Sequence, residues 1–219
     1  IGAARPSIAD PFLPRKIEEG RLDDIRECIG CNICVTGDWT HTPIQCTQNP
    51  TMGEEWRRGW HPENMNRKGH SNRILVVGAG PAGLEAAMSL GRRGYEVSLA
   101  DTNEGGGRVV KEAGLPGLSV WRRVVDYRLG QIEKLNQVMF YPGSHMDRDS
   151  IFSYGAEHVA IATGSRWRQD GLGRANWEPL EGIADHRSVF TPDDIVEGNL
   201  PVAGPVVVYD DDHYYLGGI

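Results

Sequence analysis

The four cysteines of this 219-residue chain are the residues whose type and spacing most directly indicate chemistry. All of them fall within 19 residues and follow the pattern C-x2-C-x2-C-x11-C, as Cys28, Cys31, Cys34 and Cys46. Three thiolates two residues apart can wrap one face of a compact cluster, and a fourth can close the cage. The spacing therefore predicts a four-iron–four-sulfur (4Fe–4S) cluster that passes electrons. A zinc site usually presents two separated C-x2-C pairs, so zinc and free thiols are the weaker alternatives.

A glycine-rich turn is the second chemical signal. Gly78, Gly80 and Gly83 form G-x-G-x-x-G after the apolar run 74–77, with Asp101 lying 23 residues after Gly78. In this context the first glycine permits a tight turn, the second lets a pyrophosphate approach, and the third allows close packing of helix on strand. Asp101 is placed to bind ribose hydroxyls and disfavours the 2′-phosphate of NADP. The alternative is a turn that uses glycine only for packing.

The elements that must position these residues alternate along the chain. Thr191 and Pro192 read as the N-cap and first position of the last helix. The alternation predicts an α/β fold with a doubly wound parallel sheet. The predicted strands are 74–77, 95–100, 137–141, 158–162 and 206–209, and the predicted helices are 81–93, 121–135, 147–154 and 191–197.

The segments around this sheet differ in composition. Residues 1–27 read as a strand end, a proline-rich loop and a short helical turn at 15–20, and residues 28–62 read as a loop wrapped around a cofactor. We expect domain divisions at 1–27, 28–70, 71–200 and 201–219. The chain begins without methionine and ends just past an apolar run, so we interpret it as a piece of a longer polypeptide.

Composition bounds the class of protein. Hydrophobic residues make up 39% and charged residues 24%, which is typical of a soluble globular protein. The net charge of −7 argues against nucleic acid as a partner. No apolar run approaches the roughly 20 residues that span a bilayer, so we expect no membrane association. Clustered thiols indicate a reducing compartment, and we expect a cytoplasmic location.

Beyond these two motifs, longer stretches carry a resemblance to a known family: 2–11, 28–34, 46–50, 54–63 and the glycine turn. Through them the chain resembles the trimethylamine dehydrogenase family of iron–sulfur flavoproteins, which includes dimethylamine and histamine dehydrogenases; cluster-containing dienoyl-CoA and enoate reductases are more distant relatives. The resemblance implies the end of a (β/α)8 barrel that binds FMN, then the cluster segment, then a dinucleotide-binding domain and the start of a second one.

The resemblance also implies cofactors, partners and site residues. Arg5, at the end of the last barrel strand, would bind the FMN phosphate, for which a guanidinium suits as a bidentate ligand. An electron-transferring flavoprotein would accept the electrons, and the full-length enzyme would be a homodimer. ADP or a related adenine nucleotide would occupy a site formed by Gly78, Gly80, Gly83, Asp101 and Arg108.

Two features bear on the reaction. Histamine dehydrogenases are similar in carrying an acid where this chain has Asp38, and a carboxylate there can bind a primary ammonium. Alternatively, Asp38 only organises a turn, or Trp39 completes an aromatic bowl around a methylated cation. The aspartates 210–212 lie where a pyrophosphate would lie in the second domain, so we expect NAD(P)H to be neither substrate nor product.

The expected function is therefore oxidation of a small amine at FMN, with electrons leaving through the cluster. The alternatives are an NADPH-dependent dienoyl-CoA or enoate reductase and a non-catalytic electron-transfer module. The fragment alone, lacking most of the FMN barrel, is expected to be inactive.

Overall fold

The computed structural model describes residues 2–39, 43–58, 65–67, 73–173, 176–183, 186–199 and 204–210, apart from the side chains of 37–39 and 57–58. In these ranges a four-stranded parallel sheet has the strand order β3-β2-β1-β4. The strands are β1 (Arg73–Val77), β2 (Glu96–Ala100), β3 (Val138–Tyr141) and β4 (His158–Ile161). The α-helices are α1 (Ala4–Ala9), α2 (Leu13–Glu18), α3 (Ile33–Trp39), α4 (Glu55–Arg58), α5 (Pro81–Arg92), α6 (Arg108–Glu112), α7 (Arg123–Glu133), α8 (Arg148–Tyr154) and α9 (Pro192–Val196).

The main core lies on one face of this sheet. Alternate strand residues such as Val76 and Leu99 point toward helices α5 and α7 and are fully buried. Leu84 and Met88, one turn apart on α5, fill the same layer. Since β1 lies between two parallel neighbours and under a helix, its run Ile74–Val77 is buried along its whole length, as expected for a central parallel strand.

The opposite face of the sheet is only partly covered. Helix α8 lies on this side, where the Tyr154 hydroxyl hydrogen-bonds Ser98 of β2. Asp147 caps its first turn by accepting from the Ser150 N–H, and Gly155 ends it at φ 69°. With α5 and α7 on the other face, the predicted doubly wound α/β fold is confirmed.

Within the described residues, the N-terminal segment begins with a helix and not with the expected strand end. Residues 4–9 form α1, and Arg5 lies in its first turn. The place of this segment at the end of a (β/α)8 barrel stays a prediction, and no strand of the described residues pairs with it. Instead, a buried ion pair organises it: Lys16 Nζ donates to Asp10 Oδ2 and to the Asp24 carbonyl, both at 2.8 Å.

Other element predictions were partly wrong. The segment 28–62 is not all loop, because α3 begins directly after Asn32 and α4 spans four residues. The apolar run Val206–Tyr209 is not a strand: it pairs with no strand within the described residues and its side chains are largely exposed. Helix α9 begins as predicted, with Thr191 and Asp194 forming a reciprocal capping box.

In the described part of the chain, every helix is too short or too polar to cross a bilayer.

Candidate functional site

All four cysteines border one cavity. The cavity is small, with a volume of about 20 Å³, and is partly open to solvent; Cys28, Cys31, Cys34 and Cys46 all line it. None of the four is in a disulfide, and each is partly buried. The three-plus-one arrangement predicted from spacing is therefore a single site: the loop and helix at 28–34 form one wall, and the segment after Cys46 closes the other.

Two left-handed residues turn the backbone between the first cysteines. Gly30 has φ 70° and Asn32 has φ 61°, a region that glycine and asparagine tolerate best. The turn brings the Gly30 N–H to 3.4 Å from Cys28 Sγ, where it donates a hydrogen bond to the sulfur.

A hydroxyl reaches a second sulfur. Thr47 Oγ1 lies 3.2 Å from Cys31 Sγ. Both residues line the cavity, and they are 16 residues apart in sequence. Either atom can donate when the cysteine is a thiol, but only the hydroxyl can donate to a thiolate.

The environment of Cys46 opposes its ionisation. Burial raises the pKa of the Cys46 thiol, and the charges of the neighbouring Cys31 and Cys28 raise it further. Hydrogen bonds from the backbone N–H groups of Asn49 and Gln48 lower this pKa in part. Thiolate ligands need a compensating positive charge, and iron supplies one.

The residues present fit a cluster. Within the described ranges, no three His, Cys, Asp or Glu side chains converge to hold a single metal ion. The fit rests instead on the shared cavity, on the hydrogen bonds at Cys28 and Cys31, and on a cysteine spacing typical of four-iron sites.

Arg5 lies at the edge of the same cavity. Its guanidinium donates to Asn32 Oδ1, the left-handed residue between the second and third cysteines. Contact with an FMN phosphate stays a prediction for this residue. Asp38 lies in α3, and its side chain falls outside the described residues.

The glycine turn lies at the carboxyl end of β1, next to the end of β4. A Cβ on Gly78 would lie 2.3 Å from the Ala162 carbonyl oxygen, and one on Gly83 would lie 1.8 Å from the Gly78 carbonyl oxygen. A Cβ on Gly80 would meet no atom within 4 Å. Gly78 and Gly83 are thus needed for packing, whereas Gly80 faces open space at the N-terminus of α5. The strand order reverses between β1 and β4, and parallel α/β sheets bind nucleotides at this switch point.

Asp101 has a role that sequence reasoning missed. Its Oδ2 accepts from the Ala79 N–H at 2.6 Å, and its Oδ1 accepts from the Asn103 N–H at 2.8 Å. The carboxylate therefore ties the end of β2 to the glycine turn. Ribose binding by its remaining lone pairs stays a prediction.

Arg108, the first residue of α6, contacts the loop after β4 and helix α9. Its Nη2 donates to the Ser165 carbonyl at 2.6 Å and lies 3.0 Å from Asp193 Oδ1, while its guanidinium stacks 5.7 Å from the Trp167 ring centroid. It therefore joins α6, the loop after β4 and α9. A contact with bound nucleotide stays a prediction.

An arginine on α7 joins the dinucleotide domain to the cysteine loop, and sequence reasoning missed it. The buried Arg128 donates to Gln48 Oε1 and to Glu85 Oε2, each at 2.8 Å, and its Nη2 lies 3.5 Å from the Thr47 carbonyl. Burial lowers the pKa of Arg128, and the Glu85 carboxylate raises it. Five residues earlier on α7, Arg123 donates to the Cys28 carbonyl at 3.1 Å.

Both walls of the cysteine cavity are thus held by one helix. In the sequence, the only sign of this contact is that Gln48 lies two residues after Cys46. Arg128 itself is not distinguishable, because it belongs to an ordinary amphipathic helix pattern.

Comparison with known proteins agrees with this architecture. Residues 72–194 match the family model described as pyridine nucleotide-disulphide oxidoreductase. Dimethylamine dehydrogenase from Hyphomicrobium sp. (strain x) is 48% identical over 223 residues, which cover 98% of this chain and 30% of that protein.

Two solved structures extend the match to three dimensions. Histamine dehydrogenase from Rhizobium sp. 4-9 is 59% identical with a TM-score of 0.89, covering 99% of this chain and 32% of that one. The 6-hydroxypseudooxynicotine amine oxidase from Pseudomonas geniculata N1 is 54% identical with a TM-score of 0.91 and the same coverage. The chain therefore spans about a third of the length of these relatives.

Proposed function

Because the chain belongs to the pyridine nucleotide-disulphide oxidoreductase family and to the family of trimethylamine, dimethylamine and histamine dehydrogenases, we propose that it is the electron-exit segment of an amine dehydrogenase. The whole enzyme oxidises a small amine at FMN and delivers the electrons to an electron-transferring flavoprotein. The observation that carries the proposal is the single cavity lined by Cys28, Cys31, Cys34 and Cys46, with Arg5 at its edge.

The residues have distinct parts in this function. When bound, a 4Fe–4S cluster supplies one-electron transfer, which links a two-electron oxidation to a one-electron acceptor. The four cysteines hold it, the Gly30 N–H and the Thr47 hydroxyl donate to two of their sulfurs, and Arg123 and Arg128 fix the loops that carry them. The oxidising flavin belongs to a barrel of which this chain has only the last part, so Arg5 is its one proposed flavin contact here.

The glycine turn is proposed to hold ADP or a related adenine nucleotide. The open space at Gly80 and the N-terminus of the twelve-residue helix α5 support this proposal, since free N–H groups there favour phosphate. A reducing compartment such as the cytoplasm suits four cysteines that form no disulfide, and a homodimer is proposed for the whole enzyme by analogy with the family.

Iron analysis tests the first part of the proposal. The anaerobically purified chain should contain about four iron and four sulfide per molecule. Cys34→Ser should lower both, whereas Ser153→Ala, at an exposed hydroxyl on α8, should leave them unchanged. A parent protein that binds one zinc and no sulfide would contradict the cluster.

Turnover tests the second part. We expect the whole enzyme to oxidise histamine or a methylated amine with an electron-transferring flavoprotein as acceptor. Stoichiometric reduction of NAD(P) would overturn this route in favour of the reductase alternative.

The choice of amine is tested at Asp38. Asp38→Asn should reduce turnover of histamine, whose primary ammonium can hydrogen-bond a carboxylate, more than turnover of trimethylamine. Equal turnover of histamine by parent and variant would exclude a direct role for this side chain.

A further inference from the structure

The two hydrogen-bond donors at the cysteine cavity differ in kind. Cys28 Sγ accepts from the backbone N–H of Gly30, which every residue type except proline would provide. Cys31 Sγ is 3.2 Å from a side-chain hydroxyl, that of Thr47, which a single substitution can remove. The second contact is therefore a feature of this sequence rather than of the backbone fold.

The direction of this hydrogen bond follows from chemistry. A cysteine that holds iron is a thiolate and has no proton to give, so the Thr47 hydroxyl must be the donor. A donor withdraws negative charge from the sulfur and stabilises the more negative, reduced form of a cluster. Hydrogen bonds to ligand sulfurs are one of the means by which proteins set cluster potentials.

Contacts on the buried side of the loop hold the backbone that carries the Thr47 hydroxyl. Thr47 lies between the ligand Cys46 and the buried Gln48, whose side chain donates to the Glu27 carbonyl at 3.0 Å. Arg128 contacts the carbonyls of Thr47 at 3.5 Å and of Gln48 at 3.4 Å. The backbone that carries the hydroxyl is thus anchored on its inner side, although Thr47 itself lies at the exposed rim of the cavity.

We propose that Thr47 is a tuning residue of the cluster site: its hydroxyl donates to the Cys31 sulfur and raises the reduction potential of the cluster. The residue adds no chemical step, since one electron enters the site and the same electron leaves it, and no proton is transferred. Because the cluster potential is higher, electron transfer from the amine-oxidising centre to the cluster is favoured over transfer in the reverse direction. The inference rests on the proposed function, because it requires a cluster at the four cysteines.

The test compares Thr47→Val with Thr47→Ser in the anaerobically purified, cluster-loaded protein. Valine keeps the shape and removes the donor, whereas serine keeps the donor. Iron and sulfide content are measured first, and the midpoint potential is then measured by a redox titration followed by electron paramagnetic resonance. We expect full iron content in both variants, a more negative potential in Thr47→Val and an unchanged potential in Thr47→Ser.

The outcomes separate the two claims. Absence of iron in the parent would refute the cluster, and with it the proposed function. A loaded Thr47→Val with the parental potential would overturn the tuning role alone, as would an equal shift in Thr47→Ser. Should Thr47→Val lose iron, Thr47→Ala is compared with Thr47→Ser by resonance Raman spectroscopy, where only alanine should alter the iron–cysteine stretching bands.

Discussion

Arg128 Nη1 donates to Gln48 Oε1 at 2.8 Å, joining residues 80 positions apart in the chain. This contact connects helix α7 of the dinucleotide domain to the loop directly after Cys46. Glu85, on the helix that follows the glycine turn, neutralises the same guanidinium at 2.8 Å. The nucleotide helix and the cysteine loop therefore share one buried cation.

Removal of this cation should be costly. Arg128→Met leaves Glu85 Oε2 and Gln48 Oε1 without the guanidinium that donates to both, and we expect the free energy of unfolding to fall by about 3 to 5 kcal/mol. Urea denaturation followed by circular dichroism measures this change. The control is Arg122→Met, at an exposed arginine paired with Asp126, where we expect a loss below about 1 kcal/mol. Equal losses in both variants would contradict a special role for Arg128.

Substitutions at Gly83 and Gly80 should affect different properties, the first stability and the second nucleotide binding. Gly83→Ala places a Cβ 1.8 Å from a backbone oxygen and should destabilise the domain, whereas Gly80→Ala places it in open space and should change stability by less than about 0.5 kcal/mol. Because the proposed nucleotide site brings a phosphate close to Gly80, we expect that variant to bind ADP at least about tenfold more weakly. Thermal unfolding measures stability, and calorimetric titration measures ADP affinity. Parental ADP affinity in Gly80→Ala would place the nucleotide elsewhere.

Asp24 should contribute a pH-dependent stability. Hydrogen bonds from Gln131 and Lys134 hold the pKa of its carboxyl well below the usual range. Since the folded-state pKa is lowered, the contribution is full above the unfolded pKa of about 3.9 and is lost as the pH falls toward the folded pKa.

Urea denaturation of parent and Asp24→Asn between pH 3 and pH 7 tests this. The parent should be more stable at pH 7, by less than about 1 kcal/mol because Asp24 is partly exposed, and the difference should shrink below about pH 4. If the difference in unfolding free energy between parent and variant grows as the pH falls, the proposed stabilisation by ionised Asp24 is contradicted.

Iron removal should loosen the cysteine segment but not the sheet. A cluster held by the four cysteines would cross-link residues 28–34 and 46–48, whereas the sheet has its own core of Val76, Leu84 and Leu99. We expect hydrogen exchange to speed up in both cysteine segments after chelation, with β1 and β2 unchanged. Uniform acceleration across the chain would mean that the cluster stabilises the whole domain.

Local patterns were sufficient for much of this protein. The cysteine spacing identified the four residues that line one cavity, and alternating apolar runs located β1 to β4 and the helices α5, α7, α8 and α9 within a few residues. Gly78 and Gly83 were identified correctly because a strand–turn–helix motif has its own short-range geometry. Periodicity and spacing act over a few residues, and a single sequence displays them directly.

The contacts that join distant segments were decided only by the tertiary structure. Arg128 with Gln48, Asp101 with Ala79 and Thr47 with Cys31 are separated by 80, 22 and 16 residues, and no local pattern marks these pairs. The same holds for the strands expected at the N-terminus and at Val206–Tyr209, neither of which forms a strand within the described residues. A strand depends on neighbouring strands elsewhere in space, and a short apolar run does not indicate where those neighbours lie.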